Sequence, residues 1–236
     1  MTALNFNGEE IPLEIVFSDR RRSWSISVNP EGKVTIRVPS AKTEKDAVKI
    51  AEEKADWIIK QRNKFLERGI AEQHYNTGDT ITLFGETLKI VRSEGTASAK
   101  ISDGVLNISV PKEFSGAEAE SVARDTVIFL YRRLGLKVLD DFVCKYSEIE
   151  NVAKPAVRIR IQERKWGCCT PRNGIIINAR VLLAPKIVAE YLVVHEVVHI
   201  RFRHHQISFW DEVARVMPNY MEAERLLKED GWKWVF

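Results

Sequence analysis

Four of the five histidines of the chain lie within residues 195–205, together with one glutamate, in the stretch HEVVHIRFRHH. His195 and His199 are four residues apart, so on a helix their imidazoles lie on one face, one turn apart. Both can then reach one metal ion at the usual zinc–nitrogen distance of about 2.0–2.1 Å. Glu196 lies about 100° around such a helix from His195, where its carboxylate can reach a metal-bound water molecule. The His-Glu-x-x-His spacing therefore indicates a zinc hydrolase site.

A third protein ligand is needed, and the same helix cannot supply it easily. On a continuous helix, His205 would lie about 9 Å along the axis from His199 and about 240° around it. The helix must therefore end near Arg201–Arg203 if His205 is to turn back towards the ion, although no Gly or Pro marks a break there. His204 is the competing third ligand, and the spacing alone leaves the choice open.

The helix that carries these residues is predicted to be buried. The stretch IVAEYLVVHEVVHI, residues 187–200, is apolar nearly all round, as expected of a helix in a protein core. Two histidines and a glutamate in such a helix would destabilise the fold unless each found a partner. The competing interpretation is a core helix with hydrogen-bonded histidines. A shared metal ion and its water molecule would satisfy all three side chains together, which favours metal binding.

The first half of the sequence predicts strands that alternate with helices. Residues 24–38 alternate around Asn29-Pro30-Glu31-Gly32, and residues 80–91 and 97–110 pair around Gly85 and Asp103-Gly104. These patterns indicate three β-hairpins. A helix is predicted after Ser40 or Thr43, and a long one over residues 117–146, with a bend expected near Gly135. No repeat of fixed period is visible.

The last third of the sequence leads into the metal-binding stretch. Two strands, AVRIRIQER and GIIINARVLL, are joined through KWGCCTPRN, and Pro185 is well placed to begin the helix that follows. After His205 the pattern is helical again, with an interruption at Pro218 and a final amphipathic helix, EAERLLKEDG. The whole order of elements predicts an α+β fold.

Composition is typical of a folded protein with one large domain or two small ones. The chain has 236 residues, of which 44% are hydrophobic and 29% are charged. Residues 1–20 show no positively charged start followed by an apolar run, so no secretory signal is expected. No apolar stretch is long enough to cross a membrane. Three cysteines, an odd number, fit a reducing compartment, and we expect a cytoplasmic protein.

Several segments resemble, as a set, the YgjP-like metallopeptidase domain family, which is related to the small gluzincins and to the SprT and WLM-type proteases. These segments span almost the whole chain; they are DRRRSWSISVNPEGKVTIRVP, ADWIIKQ, FGETLKI, RKWGCCT, GIIINARVLLAP, HEVVH and HQISFW. The resemblance implies a zinc metallopeptidase in which His195, His199 and His205 bind Zn²⁺. It also implies that Glu196 is the catalytic base.

The resemblance further implies the domain organisation. Residues 1–115 are expected to form a β-rich part with one helix, and residues 116–236 a zincin-like (minigluzincin) catalytic domain with a β-hairpin and the HExxH helix. The family reads Trp-Gly-Ser-Cys where this chain has Trp166-Gly167-Cys168-Cys169, so Cys168 replaces a serine. The hairpin is expected beside the metal helix, where an exposed strand edge can hold an extended substrate. Trp166 and Arg172 are the candidate substrate-binding residues.

Three functions are compatible with these residues. In peptide-bond hydrolysis, zinc lowers the pKa of its bound water to about 7 and Glu196 takes the proton. The alternative is a nucleoside triphosphate pyrophosphatase that uses the same metal site. The third is a non-catalytic protein that binds zinc or nucleic acid, with Cys168 or Cys169 as a fourth ligand. No residue is assigned to stabilise the oxyanion; the candidates are His204, Tyr191, Tyr220 and Arg172.

The charge distribution bears on this choice of substrate. Residues 151–210 hold ten Lys or Arg and three Asp or Glu, while the whole chain has a net charge of only +3. A basic region around the metal site favours an anionic partner such as a nucleotide, a nucleic acid or an acidic peptide. Arg164, Lys165 and Arg172 are candidate phosphate contacts in the nucleotide alternative. A solvated basic surface without a partner is the competing interpretation.

Overall fold

The computed structural model describes residues 3–6, 9–29, 32–68, 72–162 and 164–236. The chain divides into two compact units, Met1–Ala71 and Glu72–Phe236. The division that we predicted between residues 115 and 116 does not coincide with them. The reason is that buried strand residues such as Leu106 and Ile108 share one hydrophobic cluster with the helices that follow.

The first unit contains one four-stranded sheet and two helices. The sheet has the order β1-β2-β4-β3, with β2 and β4 parallel and the other pairs antiparallel. The elements are β1 (Ala3–Phe6), β2 (Glu9–Ser18), β3 (Ser25–Val28), β4 (Val34–Pro39), α1 (Glu44–Glu53) and α2 (Ala55–Arg68). The hairpin predicted for residues 24–38 is confirmed as β3–β4; Pro30 and Glu31 of its turn lie outside the described residues.

The predicted start of the first helix is also confirmed. The Thr43 side chain accepts a hydrogen bond from the Asp46 backbone, and the Asp46 carboxylate accepts one from the Thr43 backbone at 2.8 Å. This reciprocal capping box satisfies backbone donors that the first turn of a helix leaves free.

The second unit begins with another four-stranded sheet. It comprises β5 (Thr80–Leu83), β6 (Glu86–Glu94), β7 (Ser98–Ser102) and β8 (Val105–Val110), in the order β5-β6-β8-β7. Both predicted hairpins are confirmed. Their central turn residues are Phe84 and Gly85, with φ of 52° and 86°, and Asp103 and Gly104, with φ of 50° and 73°. Positive φ at both central positions matches the twist of paired antiparallel strands.

The two four-stranded sheets share one topology, which the sequence did not reveal. Each has two antiparallel pairs joined by a parallel central pair, β2–β4 in one and β6–β8 in the other. A helix follows each sheet, and buried positions recur at one constant interval along the chain. The matching buried residues, 72 positions apart, are Val34 and Leu106, Ile36 and Ile108, Val38 and Val110, Ala47 and Ala119, Ala51 and Ala123, Ala55 and Val127, and Ile58 and Leu130.

The remainder of the second unit builds the site. It comprises α3 (Gly116–Ile149), β9 (Val157–Arg160), β10 (Gly167–Cys169), β11 (Ile175–Asn178), α4 (Lys186–Val198), α5 (Ile207–Val216) and α6 (Tyr220–Asp230). The third sheet has the order β10-β11-β9, with β9 parallel and β10 antiparallel to β11. The connection KWGCCTPRN therefore contributes a strand of its own. The described residues thus form a mixed α/β structure of three small sheets and six α-helices.

The long helix α3 lies against the segment that precedes α4. It runs as one helix of 34 residues, through Gly135, where the sequence predicts a bend. A Cβ atom at Gly135 would clash with the side chain of Leu182, so this glycine allows close packing. Among the described residues, no helix combines the length and the apolar character that crossing a membrane requires.

The β5–β6 hairpin fixes the start of α4. The Phe84 amide donates to the Leu182 carbonyl, and the Thr82 hydroxyl to the Leu183 carbonyl, both at 2.6 Å. At Gly85 an added Cβ atom would lie 3.0 Å from Pro185 Cα, at the N-cap of α4. The turn can therefore touch the backbone before α4 only because it carries a glycine.

Replacing this glycine tests the contact. Gly85→Ala and Gly104→Ala both place a Cβ atom at positive φ, which costs about 1–2 kcal/mol. Only Gly85→Ala also meets a neighbouring backbone, because nothing lies within 4 Å of the Cβ position at Gly104. We expect Gly85→Ala to lower the free energy of unfolding by a further ~1–3 kcal/mol in urea titrations. Equal losses in the two variants would show that the Pro185 contact is unimportant.

Candidate metal centre

The helix α4 ends at the residues that carry the candidate ligands. Its regular turns stop at Val198, and His199 is the C-cap. Ile200 and Arg201 donate to the carbonyls of Val197 and Val198 at 2.9 and 3.1 Å, which closes the last turn tightly. The helix therefore ends slightly before Arg201–Arg203, where the sequence required a break.

Three imidazole nitrogens converge beyond this helix end. The Nε2 atoms of His195, His199 and His205 are 3.1–3.2 Å from one another. Three nitrogens that bind one tetrahedral metal ion at about 2.0–2.1 Å are about 3.3–3.4 Å apart. The triad therefore fits a metal ion. Among the described residues, these three side chains also form the group of His, Cys, Asp or Glu whose ligand atoms lie close enough together to hold a metal ion.

The protonation of His195 and His199 suits metal binding. His199 Nδ1 lies 2.8 Å from the Phe202 carbonyl, so it carries the proton and leaves the Nε2 lone pair towards the other two rings. Burial, helped by the neighbouring imidazoles, lowers the pKa of His195 to about 3. Burial also lowers the pKa of His199. Neutral imidazoles are the form that binds metals.

Phe209 of α5 supports all three rings. This side chain is fully buried, and its ring centroid lies 4.6–4.9 Å from those of His195, His199 and His205. Trp210 adds contacts to His195 and His205 at 5.9 and 6.0 Å. Phe209 and Trp210, the last two residues of the HQISFW segment, therefore pack directly against the candidate ligands.

Arg201 ties the ligand loop, residues 199–206, to the end of α3. Its Nη1 atom lies 3.6 Å from Glu150 Oε2 and 3.7 Å from Glu212 Oε1. The Glu150 side chain is fully buried and also pairs with Arg215 at 2.7 Å. Burial, together with Glu212, raises the pKa of Glu150. The two arginines compensate a carboxylate that would otherwise be costly to bury.

Arg203 ties the same loop to the turn between β10 and β11. Its guanidinium donates to the Thr170 carbonyl at 3.0 Å and also bonds the Asn173 side-chain oxygen. A longer contact of 3.5 Å reaches Cys169 Sγ. Two arginines in one short loop thus explain how the chain turns back to His205 without a Gly or Pro.

Glu196 lies beneath β10. Its side chain is buried, and an added Cβ atom at Gly167 would lie 2.7 Å from its Oε1 atom. The Cys169 backbone amide donates to the carboxylate, whereas Oε2 is buried and has no hydrogen-bond partner among the described residues. Burial raises the pKa of Glu196 to about 7, although the Cys169 amide and Lys165 oppose the shift. Such a carboxylate can exchange a proton near neutral pH.

These groups share one cleft of about 360 Å³. Its lining brings together the four predicted site residues, His195, Glu196, His199 and His205, with five others, which are Lys165, Gly167, Cys168, Cys169 and Arg203. Of these five, the sequence suggested Lys165, Cys168 and Cys169 only in the alternative functions. In the sequence, Arg203 could be linked to the site only because it lies between two histidines. Gly167 could be linked to it only through its place in the Trp-Gly pair.

The two candidate substrate-binding residues do not line the described cleft. The Trp166 ring packs edge-on against Trp234 at 5.8 Å, and the Arg180 guanidinium lies 4.9 Å from its centroid. Arg180 also donates to the carbonyls of Trp234 and Gly231. Trp166 therefore packs with the C-terminal segment. Arg172 is exposed in the β10–β11 turn.

The candidates for stabilising the oxyanion lie at different positions relative to the triad. Tyr191 is buried, and its ring contacts His195 at 5.9 Å. Tyr220 stacks on Tyr191 and on Trp210 at 6.2 and 5.9 Å. His204 is exposed, and its Nδ1 accepts from the Gln206 amide at 3.3 Å. Tyr191 and Tyr220 are thus within the aromatic layer around the triad, and His204 is outside the triad.

Comparison with known proteins places the chain in a family. The family described as "YgjP-like, metallopeptidase domain" matches residues 22–230. Among solved structures, the metallopeptidase zymogen abylysin of Pyrococcus abyssi is 24% identical; the match covers 39% of this chain and 95% of that chain, with a TM-score of 0.36. The curated proteins gave no match. Because the family match covers most of the sequence and includes the HEVVH helix, the chain belongs to the YgjP-like metallopeptidase domain family.

Proposed function

We propose that this protein is a zinc-dependent metallopeptidase whose base is Glu196. The observation that supports the proposal most directly is the convergence of three Nε2 atoms at 3.1–3.2 Å, within the cleft that Glu196 also lines. Three imidazoles with an open fourth position are the ligand set of catalytic zinc sites, whereas structural zinc sites normally have four protein ligands. In this proposal, α4 and the sheet β9–β11 form the zincin-like core.

Each residue has a distinct role in the proposed reaction. Bound zinc would polarise the carbonyl under attack and lower the pKa of a water molecule to about 7. Glu196 accepts the proton of the attacking water and returns it to the leaving amine. The Cys169 amide holds the carboxylate in place, and its Oε2 atom has no hydrogen-bond partner among the described residues.

The strand β10 is the proposed substrate platform. It lies at one edge of the sheet β10-β11-β9, and its three residues all line the cleft. An extended peptide can pair with such an edge through backbone hydrogen bonds. This arrangement favours a peptide over the alternative substrate, a nucleoside triphosphate.

The first prediction concerns the ligands. His195→Ala and His205→Ala should abolish stoichiometric zinc binding, because each removes one of three converging nitrogens. Zinc at about 100 times its Kd should stabilise the unmodified protein by about 2.7 kcal/mol and the variants by far less, as measured by thermal unfolding. His204→Ala, which removes the adjacent exposed imidazole, is the matched control and should keep the metal. Unchanged zinc content in His195→Ala would overturn the ligand assignment.

A second prediction separates the base from the ligands. Glu196→Gln keeps the size of the side chain but removes its basicity, so we expect full zinc content with peptidase activity lowered by about 10²–10⁴-fold. Activity is measured on an unfolded protein substrate. Nucleoside triphosphates are tested in parallel. Pyrophosphate release that disappears in Glu196→Gln, without any proteolysis, would replace our proposal by the nucleotide alternative.

A third prediction concerns the close approach of β10. Gly167→Ala places a Cβ atom against Glu196 Oε1 and should displace the carboxylate, lowering kcat by about 10- to 100-fold. Zinc content should stay unchanged, since the three atoms nearest to the added Cβ atom all belong to Glu196. Gly174→Ala, in the same hairpin, has its nearest contact with Thr170 Oγ1 at 3.2 Å and serves as control. Equal kcat in both variants would contradict the role given to Gly167.

A further inference from the structure

Two cationic side chains line the cleft beside the imidazoles. Lys165 lies just before β10 and Arg203 lies in the ligand loop, and both are exposed. Glu196 is the sole carboxylate among the described lining residues. It is buried, whereas the two cations are at the surface. A substrate that enters the cleft therefore meets positive charge first.

Neither cation is neutralised within the part of the chain that the structure describes. Arg203 bonds a carbonyl and a side-chain amide oxygen, which are both neutral acceptors. Lys165 forms no salt bridge with a described carboxylate, although its charge acts on Glu196. Bound divalent metal would add to this charge. Uncompensated charge in a narrow cleft raises the local concentration of anions.

The platform strand sets where an anionic group would lie. Side chains of an extended peptide point alternately to the two faces of a sheet, so every second one can approach the same wall of the cleft. The cleft volume of about 360 Å³ is near the lower end of the range for ligand sites. It suits one or two residues around the bond that is cleaved. A carboxylate in this stretch can reach Lys165 and Arg203 by charge-assisted hydrogen bonds.

We propose that Lys165 and Arg203 select peptides that carry Asp or Glu next to the scissile bond. The inference rests on the proposed peptidase function and names its substrate class. Lys165 supplies a flexible point charge, and Arg203 supplies a guanidinium already held in place by Thr170 and Asn173. Because both groups are exposed, the preference weakens as salt increases.

Binding tests this proposal without requiring turnover. Zinc-loaded Glu196→Gln protein is titrated with fluorescein-labelled peptides that differ only by Glu or Gln at one position, and Kd is measured by fluorescence anisotropy at low salt. One charge-assisted hydrogen bond corresponds to about tenfold or more in affinity. We expect the Glu peptide to bind about tenfold more tightly. Equal Kd values for the two peptides would overturn the proposal.

A matched pair of variants assigns the effect to the cleft. In the Glu196→Gln background, Lys165→Met should reduce the ratio of the two Kd values several-fold. Arg164→Met removes an adjacent exposed cation that does not line the cleft, and it should leave the ratio unchanged. Arg203→Lys should reduce the ratio less than Lys165→Met, since it retains the charge. Equal reductions in the Arg164 and Lys165 variants would indicate general surface charge and overturn the assignment.

Turnover by the unmodified enzyme separates this inference from the proposed function. Preferential cleavage of the Glu peptide supports both. Equal cleavage of the two peptides leaves the peptidase proposal standing and overturns the acidic preference. Tighter binding of the Glu peptide with no cleavage of either would overturn the peptidase proposal and, with it, the selection of a scissile bond.

Discussion

The site depends on one turn of the chain, which brings the imidazole of His205 back to those of His195 and His199 at the end of α4. The chain must leave α4 immediately after His199 and return within six residues, and no glycine or proline assists the turn. Two arginines hold it instead, Arg201 at the end of α3 and Arg203 at the β10–β11 turn. Phe209 then fills the space beneath the three rings. The positions of the three imidazoles are therefore set by contacts with the residues around them.

Glu196 depends on the strand above it, whereas the three histidines depend on the loop and on Phe209. Its carboxylate can exchange a proton at neutral pH only if its pKa is close to 7. Burial beneath β10 raises the pKa to about this value. The same strand supplies the Cys169 amide that holds the carboxylate, and Gly167 leaves room for its Oε1 atom. One short strand thus sets the surroundings of the proposed base, and in our proposal it also receives the substrate.

The local features of this fold were predictable from the sequence, and the long-range ones were not. Hairpins at Gly85 and Asp103-Gly104 follow from turn chemistry, and His195, Glu196 and His199 follow from helical spacing. His205 could not be chosen over His204 by spacing, because the choice depends on the Arg201 and Arg203 contacts with distant segments. Trp166 looked available for substrate, yet it packs on Trp234, a contact between residues far apart in the chain.

The two units also differ in when their cores can be completed during synthesis. The described core of the first unit uses residues between Ile11 and Ile59, so its packing partners leave the ribosome before the second unit has been made. The second core includes Trp234, whose carbonyl is bonded by Arg180. Domains generally fold in order from the N-terminus as they are made. The core of the second unit is therefore complete only once Trp234 has been made, and nascent chains that stop short of it lack the packing behind Trp166.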